Sequence, residues 1–135
     1  MRRAVSAALL SFCMAGATEA APADRACAVL AKASAEQGAH HAAAARQGSA
    51  IDAAPAVAAI TLAERIGCGG SAETAYLCGV AAMAEFEDAL DRLMAAVKEG
   101  DAGADAQAAR ADKKKAVYRD LALRLARCAA PAPAD

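Results

Sequence analysis

Ser71-Ala72-Glu73-Thr74-Ala75-Tyr76-Leu77-Cys78-Gly79-Val80-Ala81-Ala82-Met83-Ala84-Glu85-Phe86-Glu87-Asp88-Ala89-Leu90-Asp91-Arg92-Leu93-Met94-Ala95-Ala96-Val97-Lys98-Glu99 reads as one long amphipathic helix. Tyr76, Met83, Leu90 and Val97 recur at one heptad position and Gly79, Phe86 and Leu93 at the next, with Val80 and Met94 beside them. That spacing belongs to a helix that packs against other helices. Ser71 is placed to cap its start, with Glu73 near the positive end of the helix dipole and Lys98 near the negative end. On the polar face Asp88 and Arg92 stand four residues apart, the spacing of an ion pair that stabilises a helix by about 0.3 kcal/mol.

On either side of this helix the chain is punctuated by glycine and proline. A first helix is expected from Pro22 to about Gly48, with Pro22 and Asp24 suited to a first turn and alanine filling most of the rest. Gly48-Ser49 breaks it. Asp52 or Ser49 can cap a short second helix with Pro55 in its first turn, ended by Gly67-Cys68-Gly69-Gly70. After Gly100-Asp101-Ala102-Gly103 a fourth helix runs to about Cys128, with Tyr118, Leu121, Leu125 and Cys128 on one stripe, and Pro131 and Pro133 stop it. No segment alternates as a strand does. The expected fold is all-α, an antiparallel up-down-up-down four-helix bundle.

Four cysteines then fall into place. In such a bundle the start of the first helix, the connection between the second and third, and the end of the fourth share one end, and Cys27, Cys68, Cys78 and Cys128 occupy those places. Two disulfides are expected to staple the bundle, and of the three connectivities we favour Cys68–Cys78 with Cys27–Cys128, closing a small loop and tying the two chain ends. The core needs such help. Although 58% of the 135 residues are hydrophobic, roughly a third of the chain is alanine, which buries little area per residue. There is no tryptophan, and the aromatic rings are those of Phe12, Phe86, Tyr76 and Tyr118.

The compartment is read from the first residues. Met1-Arg2-Arg3 is basic, the run from Ala4 to Met14 is short and apolar, and Ala15-Gly16-Ala17 ends small-x-small. Residues 1–20 are read as a bacterial Sec-type secretory signal peptide with cleavage after Ala17, Ala20 or Ala23. Residues 21–130 form the helical domain and residues 131–135 a disordered tail. The apolar run falls short of the roughly 20 residues that span a bilayer, so no membrane span is expected after processing. Bulky Phe12 before Cys13 disfavours a lipid anchor. The protein is expected in the periplasm or secreted, where disulfides persist.

Motifs of chemistry are few. A four-thiolate zinc or copper site is the alternative use of the cysteines, but such sites usually draw on close Cys-x-x-Cys pairs, and none occurs here. Glu36 and His40, one turn apart, are the candidate metal ligands outside the cysteines. His40 and His41 are otherwise expected to face solvent. No haem-attachment sequence, nucleophile with a neighbouring base, or P-loop lysine accompanies the remaining residues. No cofactor is expected, and the protein is read as a non-enzyme. Net charge is −1 and Lys113-Lys114-Lys115 spreads around a helix as a solvated face, so neither nucleic acid nor a membrane surface is an expected partner.

The stretch Cys68, Glu73, Cys78, Leu90-Asp91 and Leu93 resembles that of small periplasmic lysozyme inhibitors, in which two cysteines precede a Leu-Asp-x-x-Leu-like helix. The spacing departs from theirs, and their tryptophan-containing segment is missing here. The function expected from the residues is protein–protein contact in the bacterial envelope, as an inhibitor, immunity factor or accessory subunit. The alternatives are a copper- or zinc-binding periplasmic bundle and a structural or stress-related envelope protein. A homodimer is one way to cover the apolar face of the third helix.

Overall fold

A computed structural model describes residues 22–100 and 103–130. Residues 1–21, with the expected signal peptide and Cys13, residues 101–102, and the expected tail 131–135 lie outside the described residues. Four helices succeed one another: α1 (Pro22–Arg46), α2 (Ala54–Arg65), α3 (Ser71–Glu99) and α4 (Ala104–Ala129). Local chemistry explains the breaks. α1 and α2 end in the same way, on glycines with left-handed backbone, Gly48 (φ 69°) and Gly67 (φ 88°). In each, the glycine N–H bonds three residues back (Gly48 to Ala45, Gly67 to Glu64) and the next N–H five back (Ser49 to Ala44, Cys68 to Ala63). This closure satisfies the last carbonyls of a helix and favours glycine at its turning point. α2 starts with Pro55 in its first turn and with Ala53, in place of the expected Asp52 or Ser49, at the cap position without a side-chain cap; Asp52, one residue earlier, accepts the Ala54 N–H on Oδ1 at 3.1 Å.

Two further local expectations are corrected. Gly70 is the residue before α3 and Ser71 its first helical residue, and the Ser71 hydroxyl donates to the Cys68 carbonyl at 3.0 Å instead of capping the helix N–H groups. Asp88 and Arg92 do not form an ion pair. Arg92 Nε donates to the Asp88 main-chain carbonyl, because the Asp88 carboxylate is taken by Arg46 at 3.1 Å, with Asp91 on the other arm of the guanidinium at 2.8 Å. The hydrogen bond to Asp88 and the nearby acidic groups hold the Arg46 pKa above its ordinary value.

The helices pack as an up-down-up-down bundle with unequal interfaces. α1 and α3 form the most extensive one and run in the same direction, since Cys27 is joined to Cys68 at one end and Arg46 reaches Asp88 and Asp91 at the other. Their seam is made of small residues. Ala31, Ser34, Ala35, Gly38 and Ala39 of α1 are buried, as are Ala72, Ala75, Gly79 and Ala82 of α3. The backbones approach so closely that a Cβ on Gly38 would collide with the Tyr76 carbonyl, and one on Gly79 with the Ala35 carbonyl. Of the heptad residues, Gly79 and Phe86 are buried, Tyr76, Met83, Leu90, Leu93 and Val97 half-buried, and Met94 exposed.

α4 runs antiparallel to α3. Cys128 is level with Cys78, Arg124 pairs with Glu85, Tyr118 stacks at a tilt on Phe86 with ring centroids 5.3 Å apart, and Arg110 donates to the carbonyls of Val97 and Gly100. α4 buries no residue completely. It touches α1 as well as α3, but α2 and α4 share no interface. α2 rests on α1 and α3 through Ala56 and Ala63.

Candidate functional site

The four expected cysteines converge at one end of the bundle, and the disulfides there are Cys27–Cys68 and Cys78–Cys128, each with Cα atoms 5.5 Å apart. The favoured pairing of Cys68 with Cys78 and Cys27 with Cys128 is thereby overturned. The reason is geometric. Ser71 to Cys78 is helical, and seven residues of helix rise about 10 Å. Bridged cysteines need Cα atoms within about 7 Å, so Cys68 and Cys78 are separated by the helix between them. The left-handed turn at Gly67 instead sets Cys68 beside α1, level with Cys27. Each bridge closes one helical hairpin, α1–α2 with a sequence separation of 41 between its cysteines and α3–α4 with one of 50. On the chain-entropy model each constrains the unfolded chain by about 4 kcal/mol.

Beside the Cys27–Cys68 bridge lies a trough. A cavity of about 590 Å³ is lined by Cys27, Ala28, Cys68, Ser71 and Ala129 with Asp24 and Arg25 at its rim. A second of about 570 Å³ adjoins it through Ala28, Ala129 and Ala130 and continues between α1 and α4 past Lys32 and Glu36 to Leu125. Its walls are mostly alanine, and its charges, of both signs, sit on α1. It offers apolar contact and no reactive group.

The candidate metal ligands separate. Glu36 and His40 are both exposed, with Glu36 on the α1–α4 trough and His40 on a smaller cavity of about 330 Å³ beside Gln37, Asp52 and Pro55. No three His, Cys, Asp or Glu side chains among the described residues gather within metal-binding reach. The sulfurs of Cys27, Cys68, Cys78 and Cys128 are bonded in pairs, which removes them as thiolate ligands.

His41 does not face solvent. It is 5% exposed, with Nδ1 2.8 Å from the Tyr76 hydroxyl and the two rings edge to face. Adjacent helical residues point about 100° apart, so when His40 faces out its neighbour turns inward, onto the stripe of Ser34 and Gly38. The spacing of Ser34, Gly38 and His41 is the signal in the sequence that marks this burial. Tyr76 partners Nδ1 of the buried imidazole, and among the described residues no carboxylate hydrogen-bonds to the pair. Ser34 is fully buried, and its hydroxyl finds no hydrogen-bond partner among the described residues.

The largest departure from expectation is where the big aliphatic side chains lie. The core is alanine with Phe86, whereas Val29 (66% exposed), Val57 (59%), Leu77 (59%), Leu123 (54%) and Leu62 (49%) are outside. α2 shows the inversion best. Its two buried residues are Ala56 and Ala63, and Val57, Leu62 and the following Ile66 are exposed.

Comparison with known protein families, with characterised proteins and with solved structures gives no match to this chain. The partial likeness of Cys68–Leu93 to lysozyme inhibitors therefore carries no function across. Among the described residues no helix is long and apolar enough to cross a membrane, and the two disulfides fit an extracellular or otherwise oxidising compartment.

Proposed function

We propose that this is a non-enzymatic protein of the bacterial envelope, exported by residues 1–20 as a signal peptide, that acts by protein–protein contact through the outer face of α2. The observation that carries the reading is the inverted α2, which buries alanine and leaves Val57, Leu62 and Ile66 in water. Isolated exposed aliphatics are ordinary on a protein surface, but Val57 and Leu62, about 140° apart around the helix, flank the outer side of α2 with Ala58 and Thr61 between them, so a partner lying along α2 covers both. α2 is also rigidly presented: its start is fixed by Pro55 and Asp52, and its end by the Gly67 closure and the Cys27–Cys68 bridge. A preordered apolar helix face loses little entropy on binding.

The test is site-specific photo-crosslinking in the envelope, with the probe at residue 57 or 62 and a control probe at residue 113 on α4. The expected result is one adduct of fixed mass from the α2 positions, abolished by Leu62→Asp, with the thermal unfolding curve unchanged. Adducts no different from those of the α4 control would remove the α2 surface as the working face.

A further inference from the structure

We propose that Cys78–Cys128 is a reducible latch, with Cys78 the sulfur that receives an incoming thiolate and α4 the element released. The two bridges differ in setting. Cys78 is exposed on α3, whereas Cys27 and Cys68 are both half-buried. Its partner Cys128 is half-buried and packs, with Leu125, against the cluster of Ala31, Ala35 and Ala75. An approaching thiolate thus meets the Cys78 side of the bond, and accessibility is one of the factors that set exchange rates.

The chemistry is thiol–disulfide exchange with a dithiol reductant. Its thiolate bonds to Cys78 Sγ as the Cys78–Cys128 bond breaks, and the electron pair leaves on Cys128 Sγ, which takes a proton from solvent. The second thiol of the reductant, deprotonated, attacks the reductant's own sulfur in the mixed disulfide. The reductant closes as an oxidised cyclic disulfide, and Cys78 departs as a thiolate. Two electrons pass from the dithiol to the protein disulfide.

The interfaces set the consequence of breaking the bond. α1 and α3 remain interlocked along the Gly38 and Gly79 seam, and Cys27–Cys68 still closes the first hairpin. α4 has no comparable hold. It buries no residue, its ion pair Arg124–Glu85 is exposed, and Tyr118, the aromatic partner of Phe86, is 49% exposed. Exposed ion pairs hold helices weakly. With the latch open α4 leaves α3 and uncovers Phe86, the ring on which Tyr118 packs, and the Ala31, Ala35 and Ala75 cluster that Leu125 and Cys128 cover, an apolar face separate from that of α2.

The experiment is graded reduction of the oxidised full domain with dithiothreitol, quenched with iodoacetamide and mapped by mass, alongside amide hydrogen exchange. Cys78 and Cys128 are expected to take up label at least about tenfold faster than Cys27 and Cys68, with the first mixed disulfide on Cys78. Amides of α4 then lose protection while those of α1 and the first half of α3 keep theirs. Equal labelling rates, or earlier opening of Cys27–Cys68, would overturn the proposal. A Cys78→Ser/Cys128→Ser protein supplies the second reading. It should hold α1 and α3 protected and α4 unprotected, and a variant with α4 as protected as in the parent, or with no protection anywhere, refutes the latch.

Discussion

The two interfaces made by α3 are built on opposite plans. Against α1 it presents alanine and glycine, so the two backbones come together until no Cβ fits at Gly38 or Gly79. Against α4 it presents larger side chains, Phe86 on Tyr118 and Glu85 on Arg124, and no residue of α4 is fully buried. Close backbone approach gives many weak dispersion contacts per residue and almost no tolerance for added volume. Side-chain contact at a half-exposed face tolerates change and yields sooner. An alanine-rich chain can therefore make a tight core without large residues, provided that one pair of helices is allowed to touch directly.

This contrast is most vulnerable at the glycines. Gly79→Ala forces a methyl into the Ala35 carbonyl and Gly38→Ala one into the Tyr76 carbonyl, so each is expected to destabilise by about 3 kcal/mol, the upper range for overpacking. Chemical denaturation reads it directly, and a cost under about 1 kcal/mol for both would mean that the helices are not in backbone contact. On the other interface Tyr118→Ala removes the partner of Phe86, and an aromatic pair half in water is expected to cost about 1 kcal/mol. Loss of α4 protection in hydrogen exchange, with α1 unaffected, would locate that cost at the side-chain interface. A change of opposite sign and no larger size is expected within the α1 seam. Ser34→Ala deletes a buried hydroxyl with no hydrogen-bond partner among the described residues and should raise stability by up to about 1 kcal/mol; a lower melting temperature would show that the hydroxyl is satisfied.

Legibility in the sequence tracks the strength of each local signal. Glycine and proline are unambiguous punctuation, and the four helices begin and end within a few residues of the places they mark. The convergence of four cysteines at one end is a consequence of topology alone. Their pairing is legible too, because a helix that starts at Ser71 keeps Cys78 too far from Cys68, a constraint that outweighs the appeal of a small loop. The inward turn of His41 is legible in its spacing from Ser34 and Gly38, seven and three residues earlier, which sets it on their stripe. The cap expected of Ser71 and the pair expected of Asp88 and Arg92 fail for a different reason: a group from elsewhere in the chain, the Cys68 carbonyl or Arg46, offers a competing partner.

Helix content, the breaks, and the end of the molecule at which the cysteines meet are set by backbone propensity and spacing, and so are written in the sequence. Which faces lie inside is a property of the packed molecule. Alanine loses little by lying on either side of the protein–water boundary, so in this chain hydrophobic periodicity cannot distinguish the buried stripe of α2 from the exposed one. Geometry makes the choice: the α1 and α3 backbones fit together only at small residues, which draws alanine and glycine inward, and α2 rests on that pair through Ala56 and Ala63 with Val57, Leu62 and Ile66 outside.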